Sequence, residues 1–219
     1  MDNSNLGVIL FKLLVCFWMV VLVWWRVSGP KSKIKIITFT GPSEVGKTTI
    51  VGELLKRHPE WKMILSLTSR GLRESDLPGE YKCNIVKEEF FWRDRGGEFI
   101  WVVSAHGNMY GTFLSDIHEA LNSKSLSLVQ ILPESVKQLC AYAPGKVLPI
   151  FLFPPDEEEL RRRLAKKGES SEQIDRRIID CKKWGDEALA LDIPYRFVRN
   201  NGTVAEAVEQ VENILKYNT

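Results

Sequence analysis

Gly41-Pro42-Ser43-Glu44-Val45-Gly46-Lys47-Thr48-Thr49 decides how the rest of the chain is read, because it fits G-x-x-x-x-G-K-[ST]. The residues before it, Ile34 to Thr40, are β-branched and apolar and predict a buried strand. Those after it, Ile50 to Arg57, alternate apolar and charged residues as an amphipathic helix does. Strand, glycine loop and helix in that order form the setting in which such a loop wraps phosphate. Gly41 and Gly46 let the backbone turn its N–H groups inward, and the helix N-terminus adds positive potential. Ser43, Glu44, Val45 and Thr49 complete the cradle, Lys47 is placed to reach the β- and γ-phosphates, and the Thr48 hydroxyl is the candidate Mg²⁺ ligand. The pattern therefore calls for ATP, Mg²⁺ and an α/β, three-layer P-loop NTPase fold.

Outward from the loop, composition narrows the partners. The formal net charge is only +2, from 30 Lys and Arg against 28 Asp and Glu. Such a balance lacks the basic footprint of a polyanion binder, so nucleic acid is not expected as a partner. Cys16, Cys83, Cys140 and Cys181 form no C-x-x-C pair, and His58, His106 and His118 lack metal-ligand spacing. A zinc site or disulfide framework is not expected, and a reducing compartment fits better.

The first 32 residues differ from the remainder. Leu6 to Val27 is almost wholly apolar, interrupted by Lys12 and Arg26. At a helical rise of about 1.5 Å per residue this run is long enough to cross a bilayer. Its length and the absence of an A-x-A-like cleavage site favour a retained transmembrane helix over a cleaved signal peptide. Arg26, Lys31, Lys33 and Lys35 follow the run, so the positive-inside rule places the remaining domain in the cytoplasm. The expected layout is a membrane anchor and linker at 1–32, bound to the lipid bilayer as a single pass, and a P-loop domain at 33–219.

Further motifs along that domain carry a resemblance. Ser66-Leu67-Thr68-Ser69-Arg70-Gly71-Leu72-Arg73 is similar to the S-x-T-T-R-x-x-R segment of guanylate kinases. Glu98-Phe99-Ile100-Trp101 and Gly107-Asn108-Met109-Tyr110-Gly111-Thr112 resemble their EFLE and GNYYGT segments. Phe153-Pro154-Pro155, Leu160 to Leu164, Asp175-Arg176-Arg177 and Asn200-Asn201 resemble the later motifs of the same family. The resemblance implies a parallel five-stranded core sheet, an acceptor-binding part at about 66–115 and a lid at about 156–180. It implies transfer of the γ-phosphoryl group of ATP to GMP or another phosphorylated acceptor. By position, Ser66, Arg70, Arg73 and Tyr110 correspond to the groups that hold the acceptor phosphate. Another family tyrosine falls at Lys82, with Tyr81 as the alternative. Arg163 and Arg177 correspond to lid arginines that act with Lys47 on the transferring phosphate by charge and position.

Three positions depart from the family pattern. The two carboxylates that read guanine correspond to Trp101 and Leu132, neither of which accepts a hydrogen bond. An aspartate of the metal and phosphate region corresponds to Gln130. The expectation is a phosphotransferase that keeps its phosphate-holding residues and has lost guanine recognition. The alternative is a non-catalytic guanylate-kinase-like module that binds a phosphorylated partner, against which the intact loop stands.

Overall fold

The computed structural model describes residues 34–218 apart from Ser43, His106 and Lys167. The described residues fall within one compact unit, Lys33–Thr219. Strand β1 (Ile36–Thr40) is buried along its whole length, as its unbroken apolar and threonine sequence requires of a central parallel strand. It runs into the glycine loop, and helix α1 (Lys47–Arg57) follows with Ile50, Val51 and Leu54 turned inward.

The chain then passes through β2 (Lys62–Met63), β3 (Ser66–Thr68), β4 (Tyr81–Lys82), α2 (Lys87–Arg95), β5 (Phe99–Ala105) and β6 (Asn108–Phe113). Next come α3 (Leu114–Asn122), β7 (Ser127–Gln130), α4 (Pro133–Tyr142) and β8 (Val147–Phe153). It ends with α5 (Glu157–Lys166), α6 (Ser171–Ala190), β9 (Arg196–Arg199) and α7 (Val204–Asn218).

Two sheets result. The core sheet has five strands in the order β2-β7-β1-β8-β9, all parallel. The second has four, β4-β3-β6-β5, with β6 antiparallel to both β3 and β5. Alternate residues of β1 feed opposite faces of the core. Ile37 and Phe39 pack with Ile50 and Leu54 of α1 and Val208 and Val211 of α7. Ile36 packs on the other side with Val129, Leu139 of α4 and Ile117 of α3. Helices therefore cover both faces, giving the three layers that the glycine-loop context implied.

Trp101 ties the two sheets together. A register shift between Phe99 and Trp101 re-aims β5, and the indole is buried among Ile36, Ile64, Ile117 and Val129. Helices α5 and α6 carry a small core of their own, built from Leu160, Leu164, Ile174, Ile178 and Cys181.

The single-pass membrane localisation and bilayer partner expected from the sequence are corrected here. Among the described residues no helix is long and apolar enough to cross a membrane. Leu6–Val27, on which that expectation rested, lies outside the described residues.

Candidate active site

The glycine loop sits at the C-terminal end of β1, where parallel α/β sheets leave a crevice for ligands. Two glycines are required there by space as well as by conformation. Gly41 has φ +152°, and a Cβ on it would lie 2.5 Å from the Leu152 carbonyl oxygen. Gly46 has φ +94°, and a Cβ on it would lie 2.5 Å from Asn200 Nδ2. Gly46 is also the N-cap of α1 and no side chain caps that helix, so its first N–H groups are left to a ligand. These features fit the phosphate chain of ATP.

Lys47 Nζ donates to the carbonyl oxygens of Gly41 and Pro42, each at 2.7 Å. Burial pushes its ammonium down to about 8, against a smaller opposing pull from Glu44. Val45 contributes through its backbone, since its side chain is fully buried in the core, and its carbonyl accepts from Asn200 Nδ2 at 2.9 Å. Thr48 lines the cavity next to the loop, whereas Thr49 faces solvent. Ser43 lies outside the described residues.

The residues matched to the acceptor phosphate converge from β3, the loop after it and β6. Ser66 Oγ is buried and 2.8 Å from Thr112 Oγ1. Arg70 NH1 and NH2 each donate to Asp76 at 2.7 Å, a fork-to-carboxylate pair in which both side chains are 8% exposed. Arg73 is exposed, and its backbone N–H donates to the same carboxylate at 2.9 Å. The guanidinium of Arg70 lies 4.7 Å above the Tyr81 ring, and Tyr81 meets Tyr110 edge to face at 6.0 Å.

Strand alternation separates the two neighbours named for the family tyrosine: Tyr81 lines the cavity and Lys82 is exposed. Asp76 and Glu80 are cavity residues that sequence reasoning missed. Glu80 Oε2 accepts from Leu77 N at 3.0 Å, and burial raises its carboxyl above the usual range. Neither has a spacing signal, because a loop rather than a regular element brings each carboxylate back toward Arg70.

One cavity of about 260 Å³ contains both halves. Gly41, Lys47 and Thr48 line one end, and Ser66, Arg70, Arg73 and Tyr110 line the other. Trp101, Gln130 and Leu132 are in the same wall. Parallel pairing explains the last two: Gln130 is in register with Phe39, so the end of β7 lies beside the start of the glycine loop.

The two arginines that the resemblance assigns to a lid are elsewhere. Neither Arg163 nor Arg177 is among the lining residues. Arg163 pairs with Glu159 at 2.7 Å and donates to the Asn200 carbonyl at 3.2 Å, which leaves it one residue from the loop through Asn200. Arg177 pairs with Glu169 at 2.9 Å and is 40% exposed. Among the described residues no cluster of three or more His, Cys, Asp or Glu could hold a metal.

The guanylate kinase family model matches residues 33–218. The chain belongs to the guanylate kinase family. It is 35% identical to the guanylate kinase of Prochlorococcus marinus subsp. pastoris over 187 residues, which is 85% of this chain and 99% of that one. It is 33% identical to the guanylate kinase of Symbiobacterium thermophilum, covering 84% of this chain and 86% of that one. The guanylate kinase of Anaplasma phagocytophilum shares the fold, with a TM-score of 0.60 at 24% identity over 85% of this chain and 86% of that one. Guanylate kinases use ATP and Mg²⁺, the cofactors expected from the glycine loop.

Proposed function

We propose that the unit at 33–219 transfers the γ-phosphoryl group of ATP to a phosphorylated acceptor and has little preference for guanine. The observation that carries this reading is the shared cavity, which joins the glycine loop to Ser66, Arg70, Arg73 and Tyr110 and has Trp101 and Leu132 in its wall.

In this reading Gly41 to Thr49 hold the ATP phosphates through backbone N–H groups. Lys47 would exchange the carbonyls of Gly41 and Pro42 for the β- and γ-phosphates, and Thr48 would hold Mg²⁺, which would supply neutralising charge. Arg70, aimed by Asp76, and the exposed Arg73 hold the acceptor phosphate with Ser66 and Tyr110. A planar guanidinium fork suits that task because it donates two hydrogen bonds to one phosphate. The region 66–115 is the acceptor-binding part. The two-helix unit within 156–180 is the lid, whose own small core lets it move as one piece. Its closure would carry Arg163 and Arg177 to the transferring group, where they stabilise charge and exclude water.

Guanine presents adjacent N–H donors, and a pocket built to accept them discriminates by about 10⁴ or more. Trp101 and Leu132 offer no acceptor. Coupled ADP release by the full chain, screened against nucleoside monophosphates and sugar phosphates, tests the reading. The expected result is turnover of at least one phosphorylated acceptor, with GMP and AMP within about tenfold of each other, about 1.4 kcal/mol. Efficient GMP turnover with AMP excluded would overturn the loss of guanine selection. No turnover of any acceptor, with ATP and acceptor binding intact, would favour the binding module.

A further inference from the structure

Helix α4 begins in the cavity wall. Leu132 is its N-cap and provides no side-chain cap, and Pro133 occupies the first turn and has no N–H of its own. The N–H groups of that turn are thus left facing outward from the helix end, with the positive end of the helix dipole behind them.

A second, independent feature lies at the same place. Ser135 lines the cavity, is fully buried, and its Oγ has no hydrogen-bond partner among the described residues. Gln130, at the end of β7, lines the cavity too, and its Nε2 is likewise buried without a partner among them. Buried polar groups in native proteins are nearly always paired, so two such groups in one wall mark a place where a ligand completes the bonding. Trp101, Val103, Ile131 and Leu132 add an apolar part to the lining of the same cavity.

We infer that Gln130, Ser135 and the N-terminus of α4 form a donor-lined seat for an oxygen atom, carbonyl or anionic, on the end of the acceptor remote from its phosphate. The inference rests on the proposed phosphate seat at Arg70 and Arg73, since that seat anchors the other end. The polarity differs from that of the carboxylates that suit guanine's N–H groups: a carbonyl oxygen satisfies the helix N–H groups, the Gln130 Nε2 and the Ser135 hydroxyl, whereas an amine can donate only to the serine oxygen and leaves the other donors unpaired. Ser135 and Gln130 are therefore specificity-determining residues.

Calorimetric binding to the full chain, with three probes, tests this. Ribose 5-phosphate reports the phosphate seat alone. GMP and xanthosine 5′-monophosphate (XMP) differ at one ring position, an amine in the first and a carbonyl in the second. XMP should bind at least tenfold more tightly than GMP. Ser135→Ala should lower the XMP-to-GMP ratio at least threefold, and using the ratio removes any general loss of binding. Gln130→Leu should lower it similarly, and stands in should the serine variant fail to fold. GMP binding as well as or better than XMP would overturn the seat and point to the buried Glu80 as the group that reads the base. A ratio unchanged in both variants would also overturn it. Failure of ribose 5-phosphate, GMP and XMP alike to bind would remove the phosphate seat, and this inference with it.

Discussion

Raising the pH from 7 to 9 should weaken ATP binding about tenfold, and Lys47 should account for the change. In the free protein its ammonium is buried against the carbonyls of Gly41 and Pro42, and burial brings it down to about 8. From that value it is about nine-tenths charged at pH 7, about half at pH 8 and about one-tenth at pH 9. The triphosphate favours the charged form strongly, because it replaces two carbonyl dipoles by full negative charges. ATP therefore binds the protonated protein, and affinity follows the charged fraction downward as pH rises through 8. At pH 8 each binding event should take up about half a proton. The measurement is calorimetry with MgATP at pH 8 in two buffers of different ionisation enthalpy, joined to a pH series of affinity. Lys47→Arg keeps a full charge across the range, and its affinity should be flat where that of the wild type falls. Lys47→Ala should lose ATP binding altogether. Affinity of the wild type constant between pH 7 and 9, with no proton uptake at pH 8, would refute the argument that this lysine is desolvated and engages the phosphates.

Three other perturbations have expected outcomes. Arg73→Ala should lower turnover of whichever acceptor is used by more than about tenfold, since a charge-assisted hydrogen bond is worth about 1.5–3 kcal/mol. The loss should appear in steady-state kinetics with the melting temperature unchanged, because the side chain is exposed. Asp76→Ala should destabilise the fold by about 1.5–3 kcal/mol in urea titration, because it strips Arg70 of a two-pronged, charge-assisted partner at the cavity edge. Trp101→Glu should lose at least about 3 kcal/mol in the same assay, since it removes an indole from the core and places a carboxylate among Ile36, Ile64 and Val129. Guanine selectivity will not be restored at that position without repacking the neighbouring aliphatic residues.

The strand, glycine loop and helix were legible because the pattern is local: nine consecutive residues carry the motif, and their strand and helix flanks follow from short-range periodicity. Ile34–Thr40 was read as the strand, and β1 occupies Ile36–Thr40. Ser66, Arg70, Arg73 and Tyr110 were legible only through family resemblance, because the loop and strand pairing that join them to one cavity span some forty residues. Strand alternation, invisible in the motif, turns Tyr81 into the cavity and leaves Lys82 exposed. Asp76, Glu80 and Ser135 were missed because each is an ordinary polar residue until the tertiary fold buries it. Trp101 shows the opposite limit: the sequence indicated a lost carboxylate, and only packing showed that the replacement joins two sheets. Leu6–Val27 carried the membrane expectation because apolar length is a local property, whereas location is not, and no helix among the described residues is long and apolar enough to cross a membrane. The sequence by itself determined the strand, glycine loop and helix, since that pattern needs a few adjacent residues. The tertiary structure decided what shares the cavity with it, since burial and hydrogen-bond partners are set by residues distant along the chain.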